Sequence, residues 1–288
     1  MAEKTFKTAL IMEGGGLREM FTCGVVDVFL EQGLRFDGAA GISAGAVFGC
    51  NFKSRQAGRA IRYNKQYCGD PRYFGFRSLF KTGDLFNVEF CYHTLPDELD
   101  LFDREAFAAD PTEFYVGTTD IVTGKPVYHK CVDGGENDFA WMRASASLPL
   151  VSRIVEVDGY KLLDGGIVDS VPYEYMESLG FNRNVIITTQ PFGYRKKKSD
   201  LLPLIKLKLR KYPAMVKAVK DRPAMYNAQM EGIDLREREG SSIVIRPPRP
   251  LDIGHTERDP RVLDRVYREG RAAAEKRVEE IRDFLRDE

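Results

Sequence analysis

The sequence predicts an α/β fold built on a mainly parallel β-sheet, and three observations lead to this prediction. Thr8 to Met12 is almost wholly apolar, which is typical of a strand buried on both faces of a parallel sheet, and Asn184 to Gln190, with Val-Ile-Ile at its start, predicts a further central strand. The first run is followed by a glycine-rich turn and an amphipathic segment, which is the order of a βαβ unit. At 288 residues and 43% hydrophobic content, the chain can bury one large core, with or without an appended lobe.

The charge balance and the cysteine pattern argue against several classes of protein. Forty-three basic residues stand against forty-three acidic ones, so no global charge favours nucleic acid as a partner. The five cysteines are widely spaced and include no C-x-x-C pair, which speaks against a disulfide framework and against a zinc cluster. No Asp/Asn-rich loop has the spacing of calcium ligands. We expect reduced thiols, a cytoplasmic location, and neither a metal nor a cofactor.

The apolar segments are too short for membrane insertion. Met1 to Lys7 is polar and lacks the apolar core of about 7–15 residues that a secretory signal needs. No uninterrupted apolar run approaches the ~20 residues that span a bilayer. We therefore expect a soluble protein that can still touch a membrane surface.

A glycine-rich turn follows the first strand and reads Glu13-Gly14-Gly15-Gly16-Leu17-Arg18. Its backbone N–H groups stand together at a helix start, which is an anion-binding arrangement. A dinucleotide fingerprint would need its third glycine at Glu19, and no P-loop string is present. Two main interpretations remain: an oxyanion loop whose N–H groups lie beside a nucleophile, or an ordinary glycine-rich connection.

The second strand leads to a candidate nucleophile. Phe21 to Gly33 has the apolar face of a helix, and Gly24 inside it predicts a close helix contact. The apolar run Phe36 to Ala40 then precedes Gly41-Ile42-Ser43-Ala44-Gly45. In a nucleophile elbow, a serine sits in a strained strand-to-helix turn, and glycines two residues on either side let the neighbouring backbones approach. The pattern alone is equally compatible with a simple Gly/Ser turn.

The middle of the chain predicts an insertion followed by strands. Ser54 to Asp110 is rich in aromatic and charged residues without clear periodicity, so we expect short helices and loops that form either a lid or a surface insertion. Glu113 to Ile121 and Pro126 to Cys131 are rich in β-branched and aromatic residues and predict a hairpin or two adjacent strands. Asp138 to Ser147 predicts a helix, and Ile154 to Val157 with Lys161 to Leu163 predicts another hairpin around Asp158-Gly159. The last hairpin ends in Asp164-Gly165-Gly166, a carboxylate at a strand's end, although such a tripeptide is also a common turn.

The C-terminal third is basic and then helical. Residues 195–222 contain eleven Lys or Arg against two Asp, interleaved with leucines. This segment either lies on an anionic membrane surface or forms a peripheral helix with solvated lysines. Ser241 to Arg246 predicts a final strand. Asp259-Pro260 predicts the start of one long helix that runs to the end and packs on the body.

The base for Ser43 decides between two kinds of hydrolase. Of the three histidines, only His255 comes late enough in the chain for a Ser-Asp-His triad; His129 falls within a strand and His93 in the insertion. The alternative is a dyad of Ser43 and Asp164. An ordinary aspartate, with a pKa of about 3.9, is a poor base near pH 7. It becomes adequate if burial raises its pKa and if backbone donors stabilise the oxyanion.

Three motifs in this order resemble the patatin-like phospholipase family: Gly14-Gly15-Gly16-Leu17-Arg18, Gly41-Ile42-Ser43-Ala44-Gly45 and Asp164-Gly165-Gly166. The segment Ala144-Ser145-Ala146-Ser147-Leu148-Pro149 is also similar to that family. The likeness covers roughly residues 7–190. The remaining part, 191–288, looks like the helical C-terminal extension of a bacterial patatin-like subgroup, packed on the same body.

The resemblance implies a three-layer α/β/α sandwich and a set of site residues. Ser43 is the implied nucleophile and Asp164 its base. Backbone N–H groups of Gly14, Gly15, Gly16 and Ala44 are implied to form the oxyanion hole. Arg18, Gly41, Gly45, Gly165 and Gly166 would support the site, and acyl-ester bonds of lipids are the implied substrate class.

The sequence therefore predicts a serine lipid acyl hydrolase that works through an acyl-enzyme. One residue departs from the family pattern, because Glu19 stands where the family usually carries glycine. If that carboxyl group disturbs the oxyanion loop, the chain is instead a weak or inactive relative that binds lipid or protein. A nucleotide-binding α/β protein, which would rest on the glycine turn alone, is the third hypothesis.

Overall fold

One mixed β-sheet of eight strands organises the chain in the computed structural model, which describes residues 6–286. The strands are β1 Lys7–Met12, β2 Gly38–Ile42, β3 Glu113–Asp120, β4 Lys125–Cys131, β5 Val155–Val157, β6 Tyr160–Asp164, β7 Phe181–Ile187 and β8 Ser242–Ile245. Their order is β5-β6-β3-β2-β1-β7-β8, with β4 also paired to β3. The N-terminal stretch Met1 to Lys7, in which we expect no secretory signal, lies mostly outside the residues that the structure describes.

The centre of the sheet is parallel, as the sequence predicts. β1 pairs in parallel with β2 and β7, β2 with β3, and β7 with β8. The hairpin strands β4, β5 and β6 are antiparallel. The second strand lies two residues later than the apolar run predicts, because Gly41 and Ile42 still pair with Val116 and Gly117 of β3.

Helices cover both faces of the sheet. They are α1 Met20–Glu31, α2 Ala44–Lys53, α3 Arg59–Tyr67, α4 Phe76–Thr82, α5 Arg104–Ala109, α6 Glu136–Ser145, α7 Tyr173–Ser178, α8 Leu202–Lys208, α9 Pro213–Arg238, α10 Pro260–Glu275 and α11 Val278–Phe284. A π-helix spans Phe90–Leu99, and short 3-10 turns span Gly16–Glu19 and Gly165–Ile167. Within residues 6–286, no helix combines the length and the apolarity that crossing a membrane requires.

The core has two layers because successive strand residues point to opposite faces. Leu10 and Met12 of β1 join the larger cluster with residues of α1, α2 and α10. Ala9 and Ile11 join a smaller cluster with residues of α7 and α9. The predicted α/β/α sandwich with a mainly parallel sheet and helices at its C-terminal end is confirmed.

The C-terminal end differs from its prediction in one respect. Instead of one long helix after Asp259, the chain forms α10 and α11 with a break at Arg277. Arg277 has a φ of −120°, and its guanidinium donates to the Val244 carbonyl of β8 at 2.8 Å. Beyond the break, Val278 and Ile281 of α11 lie in the core.

Two glycines let α1 and α10 cross at close range. A Cβ on Gly24 would lie 2.1 Å from the Tyr267 carbonyl oxygen, and one on Gly270 would lie 1.9 Å from the Phe21 carbonyl oxygen. Both distances are far shorter than a van der Waals contact. Because the atoms that would be met belong to the helix backbone, they cannot move aside without shifting a whole helix. The close helix contact predicted from Gly24 is therefore present.

Gly270→Ala is expected to destabilise the fold, although the same change in an open helix stabilises it by about 1 kcal/mol. Forcing the two helices apart should cost about 1–3 kcal/mol. Urea unfolding of the variant measures the difference. Gly69→Ala is the matched control, because Gly69 is exposed and a Cβ there meets nothing within 4 Å. A Gly270→Ala protein as stable as the wild type would contradict this packing.

Candidate active site

The sheet register brings Ser43 and Asp164 together. β2 ends at Ile42, which pairs with Gly117 of β3. Asp164, at the end of β6, pairs with Thr118, the next residue of β3. The C-terminal ends of β2 and β6 therefore lie side by side. There the Ser43 hydroxyl donates a hydrogen bond to Asp164 Oδ2 at 2.6 Å.

Ser43 occupies a strained turn between β2 and α2. Its φ of 56° and ψ of −126° are rare for a residue with a side chain, and such conformations cost about 1–3 kcal/mol. A Cβ on Gly41 would lie 2.5 Å from the Gly45 carbonyl oxygen, and one on Gly45 would lie 2.5 Å from the Glu13 carbonyl oxygen. Only glycines on both sides of Ser43 allow these backbones to approach so closely.

Ser145 holds the strained turn through a hydrogen bond to the backbone of Ser43. The Ser43 N–H donates to Ser145 Oγ at 2.7 Å, and the Ser145 hydroxyl donates onward to the Gly117 carbonyl at 2.6 Å. Ser145 is fully buried at the end of α6. The sequence did not reveal this role of Ser145, since a serine between two alanines at the end of a helix gives no local signal of a distant backbone partner.

Asp164 is fixed and buried. Its Oδ1 accepts from the Gly166 N–H at 2.8 Å, and its backbone carbonyl accepts from the Thr119 hydroxyl at 2.7 Å. The residue is 2% exposed, and this burial raises its pKa, while the Arg222 charge and the Ser43 hydrogen bond act in the opposite direction. A Cβ on Gly165 would lie 2.1 Å from the Gly117 carbonyl oxygen, so glycine is required there.

The glycine turn lies directly against the serine. A Cβ on Gly14 would lie 2.7 Å from Ser43 Cβ and 2.8 Å from the Ile42 carbonyl oxygen. Gly16 has a φ of 59°, which favours glycine. Among the described residues, the N–H groups of Gly14, Gly15, Gly16 and Ala44 have no acceptor. These donors are free to bind an oxyanion.

Two buried acidic residues flank this turn. Glu13 accepts hydrogen bonds from the Thr189 N–H at 2.6 Å and from the Tyr226 hydroxyl at 2.8 Å, which fixes the start of the turn. Glu19 is 0% exposed, and its Oε1 would lie 3.1 Å from a Cβ on Gly15. Burial raises the pKa of Glu19 well above its usual value. The Glu19 side chain therefore lies buried behind the turn, next to Gly15.

The three histidines do not reach the serine. His93 is exposed on the Phe90–Leu99 π-helix. His129 bonds to Asp138 at 2.7 Å and stacks on Trp141. His255 lies against Gly16, with its Nε2 at 3.3 Å from Arg18 Nη1. In the part of the chain that the structure describes, the Ser43 hydroxyl bonds to Asp164 alone.

One group of side chains has the composition of a metal site. Ligand atoms of His129, Cys131 and Asp138 lie within 4.8 Å of one another. Asp138 Oδ2, however, accepts three backbone N–H bonds from residues 132–134, and Oδ1 faces His129. These bonds already use both carboxylate oxygens to hold the β4–α6 turn.

The basic segment reaches the site, which the sequence did not reveal. Arg222 of α9 places Nη2 at 3.3 Å from the position of a Cβ on Gly166. Lys196 precedes α8, and its N–H donates to Asn227 Oδ1 of α9 at 2.8 Å. The charges of Arg222 and Lys196 act against the rise in the pKa of Asp164. Composition shows only that the segment is basic and does not distinguish these two cations from the nine others.

Comparisons with known proteins found two family models and several relatives. A family model described as patatin-like phospholipase matches residues 10–176, and one described as a domain of unknown function (DUF6363) matches residues 212–286. The chain is 30% identical over 189 residues to the "Uncharacterized protein YjjU" of Escherichia coli, covering 64% of this chain and 52% of that protein. It is 28% identical over 183 residues to the "Lysophospholipase nte1" of Aspergillus fumigatus, covering 59% of this chain and 11% of that protein.

The matches cover only part of each relative. The aligned region spans about half the length of the Escherichia coli protein and about a tenth of the fungal one. Among solved structures, VipD from Legionella pneumophila covers 96% of this chain and 67% of its own, with a TM-score of 0.47 at 12% identity.

Proposed function

Since the chain belongs to the patatin-like phospholipase family, we propose that it is a serine lipid acyl hydrolase that uses a dyad of Ser43 and Asp164. The single observation that carries this proposal is the 2.6 Å hydrogen bond from the Ser43 hydroxyl to Asp164 Oδ2 at the end of the sheet. The strained serine, the raised pKa of Asp164 and the free N–H groups of the glycine turn support it.

The reaction proceeds in two halves. Ser43 Oγ attacks the acyl carbon while Asp164 takes the hydroxyl proton. The N–H groups of Gly14, Gly15, Gly16 and Ala44 stabilise the oxyanion. The bond to the alcohol then breaks, and the alkoxide leaves with the proton from Asp164. In the second half Asp164 takes a proton from water, whose oxygen attacks the acyl-enzyme, and the acid leaves as Ser43 regains its proton.

Ester hydrolysis with a graded series of acyl chains tests the proposal. We expect the protein to hydrolyse neutral acyl esters and Ser43→Ala to leave only background hydrolysis. The chain-length series then defines the acyl preference. Hydrolysis that is unchanged in Ser43→Ala, or a folded wild type without activity on any ester of the series, would contradict the function.

The pH dependence follows from the environment of Asp164. Burial raises its pKa above the ordinary value of about 3.9. Because only the ionised carboxylate accepts the serine proton, kcat/KM should fall as the pH decreases through that raised pKa. The measurement is a pH–rate profile with a neutral ester, accompanied by circular dichroism to show that the protein stays folded. An acid limb at or below about pH 3.9 would show that Asp164 is not the base.

We also propose that two exposed apolar faces touch the lipid surface. Leu201, Leu204 and Leu207 at α8 are 52–65% exposed, and Phe76 and Phe80 of α4 are 73% and 87% exposed. Both helices adjoin the loop 148–153. Leu85, just after α4, donates its N–H to the Val151 carbonyl, and Lys208 at the end of α8 donates to the Leu150 and Ser152 carbonyls. Lysines beside these leucines favour an anionic surface.

Co-sedimentation with vesicles of phosphatidylglycerol and phosphatidylcholine tests the contact. We expect binding to decrease when Leu204 and Leu207 are both changed to Gln, and to remain when the exposed Leu235 of α9 is changed to Gln. Equal loss in both variants would contradict a specific face. Vesicle binding without hydrolysis of any ester would favour the alternative, a catalytically inactive family member that binds lipid.

A further inference from the structure

A buried tyrosine of the C-terminal region bonds to the start of the glycine turn. Tyr226 lies on α9, within residues 212–286, which match the domain of unknown function. Glu13 lies within residues 10–176, which match the patatin-like model. The Tyr226 hydroxyl donates a hydrogen bond to Glu13 Oε1 at 2.8 Å. This bond joins the region of unknown function to the turn beside the candidate nucleophile.

The surroundings of Tyr226 fix its hydroxyl as the donor. The residue is fully buried, its ring packs edge-on against Tyr194, and the Lys196 ammonium lies 4.2 Å from the centre of the ring. Asn227, the next residue of α9, accepts from the Lys196 N–H at 2.8 Å and donates to the Lys196 carbonyl at 3.2 Å. Burial, followed by the charge of Glu13, raises the pKa of Tyr226, so the hydroxyl keeps its proton.

Contacts from three other parts of the chain hold Glu13. The Glu13 side chain accepts from the Thr189 N–H at 2.6 Å through Oε2. Its backbone N–H donates to the Ile187 carbonyl at the end of β7 at 3.1 Å. Its carbonyl oxygen lies 2.5 Å from the position of a Cβ on Gly45, at the start of α2. The bond from Tyr226 to Oε1 is the contact that α9 adds.

A displacement of Glu13 would be passed directly to the oxyanion donors. Gly14 follows Glu13 in the chain, and a Cβ on Gly14 would lie 2.7 Å from Ser43 Cβ. Without the Tyr226 hydroxyl, a buried carboxyl oxygen of Glu13 would lose its bond, and a buried polar group without a partner is costly. Movement of that side chain towards another donor would shift the Gly14 N–H relative to Ser43.

We propose that Tyr226 is a positioning residue of the hydrolase, which acts through Glu13 to hold the glycine turn where its N–H groups meet the oxyanion. This proposal rests on the proposed function, in which those N–H groups stabilise the transition state. Oxyanion donors are effective only when they are placed precisely, and a misplacement of about 1 Å can cost about a hundredfold in rate. The C-terminal region then completes the active site.

Tyr226→Phe tests the proposal, because the substitution removes the hydroxyl and keeps the ring. We expect kcat on a neutral ester to fall about ten- to a hundredfold while KM stays within about twofold, since the donors act on the charge of the transition state. The matched control is Tyr267→Phe. The Tyr267 hydroxyl of α10 also donates to a buried carboxylate, Asp27 Oδ2 of α1, at 2.8 Å. Tyr267→Phe should lower the stability to urea and leave kcat unchanged.

A double-mutant cycle tests whether Tyr226 acts through Glu13. Glu13→Met removes the carboxyl group and keeps the approximate length of the side chain. In a Glu13→Met protein, Tyr226→Phe should change kcat by less than about twofold, because the bond between the two residues is already lost. A further loss of about tenfold would overturn the proposed route through Glu13.

Hydrogen exchange followed by mass spectrometry adds a readout that needs no catalysis. Amide exchange of residues 10–20 should be faster in Tyr226→Phe than in the wild type and unchanged in Tyr267→Phe. Wild-type exchange and a wild-type kcat in Tyr226→Phe, or an equal loss of kcat in both variants, would overturn the positioning role while leaving the hydrolase intact. A wild type that hydrolyses no ester would overturn the proposed function, and this role with it.

Discussion

Asp164→Asn is expected to lower kcat on a neutral ester by about a thousand- to ten-thousand-fold, as loss of one member of a catalytic unit does. Asparagine keeps the shape of the side chain. Its amide nitrogen cannot accept the Ser43 proton, and the oxygen it retains is a far weaker base than a carboxylate. Stability should not fall, because burial raises the pKa of Asp164 and the uncharged amide avoids that cost.

Esterase kinetics and urea unfolding of Asp164→Asn measure the two effects together. Asp97→Asn serves as the control, since Asp97 is a surface residue whose ion pair with Arg104 is exposed. A loss of activity that follows a loss of folded protein would make Asp164 a structural residue. Activity within tenfold of wild type in a folded Asp164→Asn protein would remove Asp164 as the base.

Gly14→Ala is expected to lower kcat by about a hundred- to a thousand-fold, the effect of displacing an oxyanion donor. The added Cβ would meet Ser43 Cβ at 2.7 Å and the Ile42 carbonyl oxygen at 2.8 Å. Neither atom belongs to a flexible side chain, so the glycine turn must move away from the serine. KM should change little, because the donors act mainly on the charge that forms in the transition state.

Steady-state kinetics on a neutral ester measure this effect, with Gly69→Ala as the matched substitution at an open position. Reactivity towards a small fluorophosphonate adds a second readout, since its phosphoryl oxygen also needs the oxyanion donors. A Gly14→Ala protein with the wild-type kcat would show that the turn is an ordinary glycine-rich connection, the other interpretation that the sequence leaves open.

Local patterns predicted the fold well where one chemical cause dominates. Residues 9–12 of β1 and 185–187 of β7 are buried and apolar, as expected for the central strands of a parallel sheet, so both strands can be recognised from composition. Gly24 predicted a close helix contact because glycine inside a helix is otherwise unfavourable. The single C-terminal helix was wrong because its break at Arg277 depends on a bond to Val244, a residue 33 positions away that no local pattern encodes.

The site residues also divide into those that local sequence patterns indicate and those that depend on contacts between distant parts of the chain. Ser43, Asp164 and the glycine turn stand at strand ends, where topology brings them together, so sequence order pointed to them. Ser145, Lys196 and Arg222 reach the site through tertiary contacts of α6 and α9. Glu19 is a different case: the sequence showed an acidic residue beside the turn, but only the structure shows that its carboxyl group is buried behind Gly15.

The most direct test of the account is covalent labelling of the wild-type protein with a fluorophosphonate, followed by peptide mass spectrometry. We predict one adduct, on Ser43, whose formation parallels the loss of esterase activity. Ser43→Ala should not react, and Asp164→Asn should react far more slowly than wild type. An active preparation that stays unlabelled at Ser43, or labelling that Ser43→Ala does not diminish, would contradict the assignment of Ser43 as the nucleophile.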